Sequence, residues 1–61
     1  MKEKVLREIE GDLLFLISIK DDLNVYYYYK HKLIGAIDLA YSLELLTSDQ
    51  LKHYYNRLSL I

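Results

Sequence analysis

The chain has no proline, and Gly11 and Gly35 are its only glycines. Sheet proteins of this size mark their turns with Gly, Pro or Asn-Gly pairs, because tight hairpins need backbone angles that other residues resist. Their scarcity points to helices joined by short polar connections. A chain of 61 residues holds one small domain, here taken as residues 1–61. It has no room for a two-domain enzyme, a repeat array or a long coiled coil.

The spacing of apolar residues predicts three helices. From Lys2 to Lys20, the residues Val5, Leu6, Ile9, Leu13, Leu16 and Ile17 recur at the helical interval and mark one face. Leu14, Phe15 and Ile19 fall off that face, which makes them candidates for a second contact surface. Lys20 to Asn24 reads as a connection, with Asp21 or Asp22 able to cap a second helix from about Leu23 to Leu46. On that helix His31, Gly35, Asp38 and Ser42 gather in one polar strip. The apolar remainder includes Leu33, Ile34, Ala36, Ile37, Ala40, Tyr41, Leu43 and Leu45, so the helix should be surrounded by others. Thr47-Ser48-Asp49-Gln50 reads as a capping box, with Leu46 and Leu51 as a hydrophobic staple. The third helix carries Leu51, Tyr54, Tyr55 and Leu58 on one side and turns Lys52, Asn56 and Arg57 outward.

A second architecture competes with this one. Residues 13–19 and 25–29 are rich in Ile, Val, Phe and Tyr, which favour strands. Joined through 20–24 they would make a central β-hairpin in an α+β domain. The connection contains no glycine, which favours the helical reading.

Hydrophobic residues make up 52 % of the chain, enough for it to fold rather than stay disordered. A domain this small nevertheless buries only about 60 % of the surface of its unfolded chain. Disulfides, metals or partner subunits commonly supplement such cores. With no cysteine and only His31 and His53, subunit association is the remaining device, and a symmetric homodimer is expected. Eight basic residues against nine acidic ones give neither the clustered positive charge of a phosphate binder nor the excess of an acidic DNA mimic. The longest apolar run, Leu13 to Ile17, is too short for a membrane span or a signal peptide, so a cytoplasmic address with no membrane contact is expected.

No residue pattern carries catalysis. His31, Asp38 and Ser42 share a strip, but His31 and Asp38 are seven residues apart, about 10.5 Å along a helix, beyond the contact a triad needs. No His pair stands at metal-ligand spacing. Neither catalytic residues, metal nor cofactor are therefore expected. The most unusual feature is the run Tyr26, Tyr27, Tyr28 and Tyr29. Consecutive helical residues point about 100° apart, so the four cannot all enter one core. Some are therefore expected at an interface or a ligand surface, where a phenol offers apolar area with a polar tip, the alternative being plain core and surface packing. Lys30, His31 and Lys32 follow directly, and with Lys52 and Arg57 they define an alternative nucleic-acid-binding surface. Gly35, beside Ala36 and before Ala40, would let a neighbouring or symmetry-related helix approach closely. Gly11 is a similar contact or a break in the first helix.

The stretch Ile34 to Ser48 resembles a phrase found in short uncharacterised helical proteins of Gram-positive phages and plasmids. There a helix carries G-x-I-D-x-A and ends in L-G-L-I-T/S before another capped helix. Gly35, Ile37, Asp38 and Ala40 match its first part, while Glu44 stands in place of the usual glycine. The likeness spans about a quarter of the chain. It implies a small accessory protein of a mobile element and carries over no enzymatic residue.

Together these features predict an all-α bundle of two longer helices and a short C-terminal one, completed by dimerisation. The expected role is a non-catalytic protein-protein interaction module, a small regulator or inhibitor of a host or element protein. Its anchors would be Leu14, Phe15, Ile19, Tyr26 to Tyr29 and Gly35.

Overall fold

Three helices form in a computed structural model that describes residues 2–61: α1 (Lys2–Ile19), α2 (Leu23–Ser42) and α3 (Ser48–Leu60). Among the described residues there is no strand. The hairpin alternative over 13–19 and 25–29 does not form, because both segments are helical. Strand preference reflects how a side chain packs on a pleated surface. Here the helical spacing of Ile9, Leu13 and Leu16 gives those residues a core to enter instead.

The helix boundaries follow local chemistry. Asp22 adopts an extended backbone and caps α2, its Oδ1 lying 3.5 Å from the Val25 amide. That is a long contact, so this cap is the weaker of two. At α3 the full capping box forms: the Gln50 amide donates to Thr47 Oγ1 at 3.1 Å, and the Thr47 amide donates to Gln50 Oε1 at 2.9 Å. Leu46, just before the cap, is buried, and Leu51, just after it, packs against the same core.

α2 ends at Ser42 rather than Leu46, in a turn that passes through Glu44. Its φ is +62°, the left-handed region. The Glu44 amide donates to the Tyr41 carbonyl at 3.0 Å and the Leu45 amide to the Ala40 carbonyl at 2.9 Å. These two bonds define a Schellman ending, which satisfies otherwise free helix carbonyls and normally uses glycine at this position. The turn carries Leu45 and Leu46 back onto the core.

α2 is central and packs against both neighbours, more extensively against α1 than against α3. The core comprises Ile9, Leu13 and Leu16 of α1, Tyr26, Leu33, Ile37 and Ala40 of α2, then Leu46, Tyr54 and Leu58. Two expected positions on α1 exchange roles: Ile19 packs against the core while Ile17 is exposed. The short connection after Ile19 explains this. The Asp22 amide bonds the Ile19 carbonyl at 3.0 Å, so α2 starts directly against the end of α1. α1 also runs unbroken through Gly11, where an added Cβ would meet nothing within 4 Å.

Two substitutions should therefore stabilise the fold. A left-handed conformation costs a non-glycine residue roughly 1–2 kcal/mol, part of which glycine returns as unfolded-state entropy. Glu44→Gly should raise stability by about 0.5–1 kcal/mol in urea denaturation. Gly11→Ala, in an open helical position, should add about as much. A loss of stability from Glu44→Gly would contradict this helix ending.

Candidate functional site

The polar groups that could have formed a reactive site are engaged in holding helices together. The Tyr55 hydroxyl on α3 donates to the Asp38 carboxylate on α2. Ser42 Oγ donates to the Asp38 main-chain carbonyl at 2.9 Å, a bond within its own helix. Asp38 is thus a structural acceptor between α2 and α3. Among the described residues, no group of three or more His, Asp or Glu side chains could hold a metal ion.

A second polar link joins α1 to α3. Arg57 Nη1 lies 2.6 and 2.7 Å from the two carboxylate oxygens of Glu10. Arg57, expected to point outward, is half-buried, because Glu10 faces the same side of α1 as α3. With the side chains 32 % and 45 % exposed, water screens the pair and its contribution is at most about 1 kcal/mol. Tyr54 is buried beside this pair. Burial pushes its phenol above the ordinary value of 10.0, the Glu10 carboxylate adds to the rise, and the Arg57 guanidinium works against it.

The tyrosine run divides as the helical geometry requires. Tyr26 enters the core, Tyr29 is half-buried, and Tyr27 and Tyr28 are exposed. Tyr29 meets Phe15 of α1 edge-on, with ring centroids 5.0 Å apart, and meets Tyr28 the same way at 5.1 Å. Phe15, Tyr29 and Tyr28 therefore form an aromatic ladder across the two helices. Such edge-to-face pairs add about 0.5–1.5 kcal/mol each beyond their buried area. Lys30 and Lys32 lie over the Tyr26 and Tyr29 rings at 5.3 and 6.0 Å.

Of the sequence-derived anchors, Leu14, Phe15, Tyr27 and Tyr28 are exposed, Tyr29 is half-exposed, and Tyr26 and Ile19 turn inward. Gly35 is exposed, and a Cβ there would meet nothing within 4 Å. No helix of this chain approaches it, so the close approach expected within the bundle is absent. Of the alternative basic set, Arg57 is paired with Glu10, while Lys30, His31, Lys32 and Lys52 are spread over α2 and α3.

An open furrow lies between α1 and α2. One stretch of about 330 Å³ is lined by Asp12, Phe15, Leu16, Tyr29, Lys32, Leu33 and Ala36. A second, of about 230 Å³, runs from the shared Asp12 and Ala36 to Val5, Glu8, Leu39, Leu43 and Leu45. Leu39 and Leu43 are 59 % and 61 % exposed. The sequence pattern does not single out Leu39 or Asp12, and it marks Ala36 only as a small apolar neighbour of Gly35. The signal was the breadth of the apolar face of α2, which was read as helices on every side. α1 and α3 cover only part of it. A separate recess of about 310 Å³ lies between the end of α1 and the C-terminus of α3, lined by Ile17, Lys20, Arg57, Leu60 and Ile61.

Comparison with family models, curated proteins and solved structures gives no match. No described helix is long and apolar enough to cross a membrane.

The raised Tyr54 pKa has a stability consequence with a definite sign. The folded state holds the phenolic proton more tightly than the unfolded chain, so this contribution is complete below about pH 10. It is lost as pH rises from there through the folded-state value. Denaturation profiles between pH 8 and pH 11.5, on the order of the phenol range, should show wild type losing more stability than Tyr54→Phe. Equal slopes would remove Tyr54 from the alkaline transition.

Proposed function

We propose that the chain is a non-catalytic interaction module that acts by covering a protein surface with its α1/α2 face. The observation that carries this reading is the run of exposed apolar side chains along the furrow, Phe15, Leu39 and Leu43, with Tyr28 beside it. Single exposed hydrophobics are ordinary on protein surfaces. A contiguous set lining a furrow is a feature of binding surfaces.

The chemistry of the face suits protein rather than nucleic acid. Its area is apolar and aromatic, and the net charge of −1 provides no field to draw a polyanion. Phe15, Tyr28 and Tyr29 offer large contact area at small conformational cost, as interface anchors do. A small regulator or inhibitor working sterically in the cytoplasm, encoded by a phage or another mobile element, fits the size of the chain and the resemblance of residues 34–48. Such a molecule needs no reacting group, since occupying a partner's surface suffices.

Photo-crosslinking in the cell that encodes the chain tests this reading. A photoreactive phenylalanine analogue placed at Phe15 or Leu39 should yield discrete protein adducts, while the same group at Ser59, on α3, should not. Absence of protein adducts at both furrow positions would sink the proposal.

A further inference from the structure

We infer that a second copy of this chain docks on the α1/α2 furrow, forming a two-fold dimer in which α1 of each protomer lies against α2 of the other. This inference rests on the interaction-module reading and names the partner. α1 and α2 have 18 and 20 residues, about 27 and 30 Å at 1.5 Å per residue. They make a pair of nearly matched length, covered by α3 on one side and open on the other. A helical layer buries its second face against another layer, and the layer that matches this one in length and shape is its own copy. Two such pairs form four antiparallel neighbours, the arrangement of an up-down bundle.

The face has the size that such a contact needs. Two helices about 10 Å in diameter and about 27 Å long present roughly 500 Å² in projection. Corrugation by side chains raises the accessible area toward the ~800 Å² that each partner contributes to a standard interface.

Charge selects both the occupant and the axis. Asp12 on α1 and Lys32 on α2 line the same stretch of furrow. A two-fold axis running along the helices keeps every residue at its own height and places α1 opposite the partner's α2. Asp12 then stands level with the partner's Ala36, one helical turn from Lys32 of the partner subunit and within reach of its long side chain, and symmetry makes the same pair a second time. An axis across the helices would instead set α1 on α1. Since Asp12 belongs to both stretches and so sits near the middle of the furrow, that arrangement would bring two carboxylates together, a contact that costs affinity. At its middle the furrow is thus complementary to itself in one orientation, while Glu8 lies toward its other end. Ala36, small and exposed at its middle, leaves room for the approach.

Light scattering on size-exclusion fractions and sedimentation equilibrium, from micromolar to several hundred micromolar, test the inference. Wild type should run as two chains. Ala36→Glu should run as one chain with its helical circular dichroism intact, since residue 36 is outside the core. Should that variant lose helicity, charge reversal at the exposed Asp12 and Lys32 decides. Asp12→Lys or Lys32→Asp alone should weaken the dimer by about tenfold or more, and the double reversal should restore it to within a few-fold of wild type. Wild type as a single chain throughout would overturn this inference while leaving the module with a heterologous partner. A dimer indifferent to Ala36→Glu, or unrestored by the double reversal, would place self-association on another face and overturn it equally.

Discussion

Leu13, Leu16 and Ile37 are the large side chains shut almost completely away from water, and the rest of the molecule is arranged around their contact. They join α1 to α2, and α3 closes over one side of that pair with Tyr54 and Leu58. Everything else is secondary in energy. The Arg57–Glu10 pair and the Tyr55–Asp38 bond lie where water still reaches them, so they fix how α3 sits more than how tightly it is held. No side-chain nitrogen or oxygen among the described residues is buried without a partner. The core is therefore apolar and simple, and its weakness is its small size.

Much of this was legible from local chemistry. Thr47 and Gln50 announce a helix start because both halves of a capping box stand in the sequence, and the reciprocal bonds form. Asp22 was one of two candidates for the second cap, and the choice between neighbouring aspartates depends on where the chain turns. The tyrosine run could be divided in principle, since four consecutive helical residues cannot share a face. Which of them enters the core depends on the docking angle of α1, and no spacing rule contains that.

What escaped the sequence was decided by tertiary packing. Leu43, Leu45 and Leu46 continue the apolar pattern of α2, and glutamate is a good helix former, so a helix through Leu46 satisfies every local rule. Burial of Leu46 and the two Schellman bonds favour a turn instead, and Glu44 takes the left-handed conformation that this turn needs. Glu44 thus stands where the backbone favours glycine. The exchange of Ile17 and Ile19 has the same origin. A helix wheel gives an apolar arc, but the arc that is buried is set by where the next helix begins.

The apolar breadth of α2 links fold to function. A helix buries only as much of its circumference as its neighbours cover, and three helices of these lengths leave one flank of the α1/α2 pair open. Polar substitutions at Leu39 and Leu43 would cost the monomer little, because these exposed side chains contribute little to its core. A monomer that had only to be soluble would therefore tolerate them. A net charge of −1 also gives copies almost no mutual repulsion, so the exposed face has nothing to keep other apolar surfaces away. An uncovered furrow of this kind on a nearly neutral molecule is a liability for solubility unless something fills it. The placement of Asp12 and Lys32 along the furrow supplies what a merely greasy surface lacks, a preference for one orientation over others.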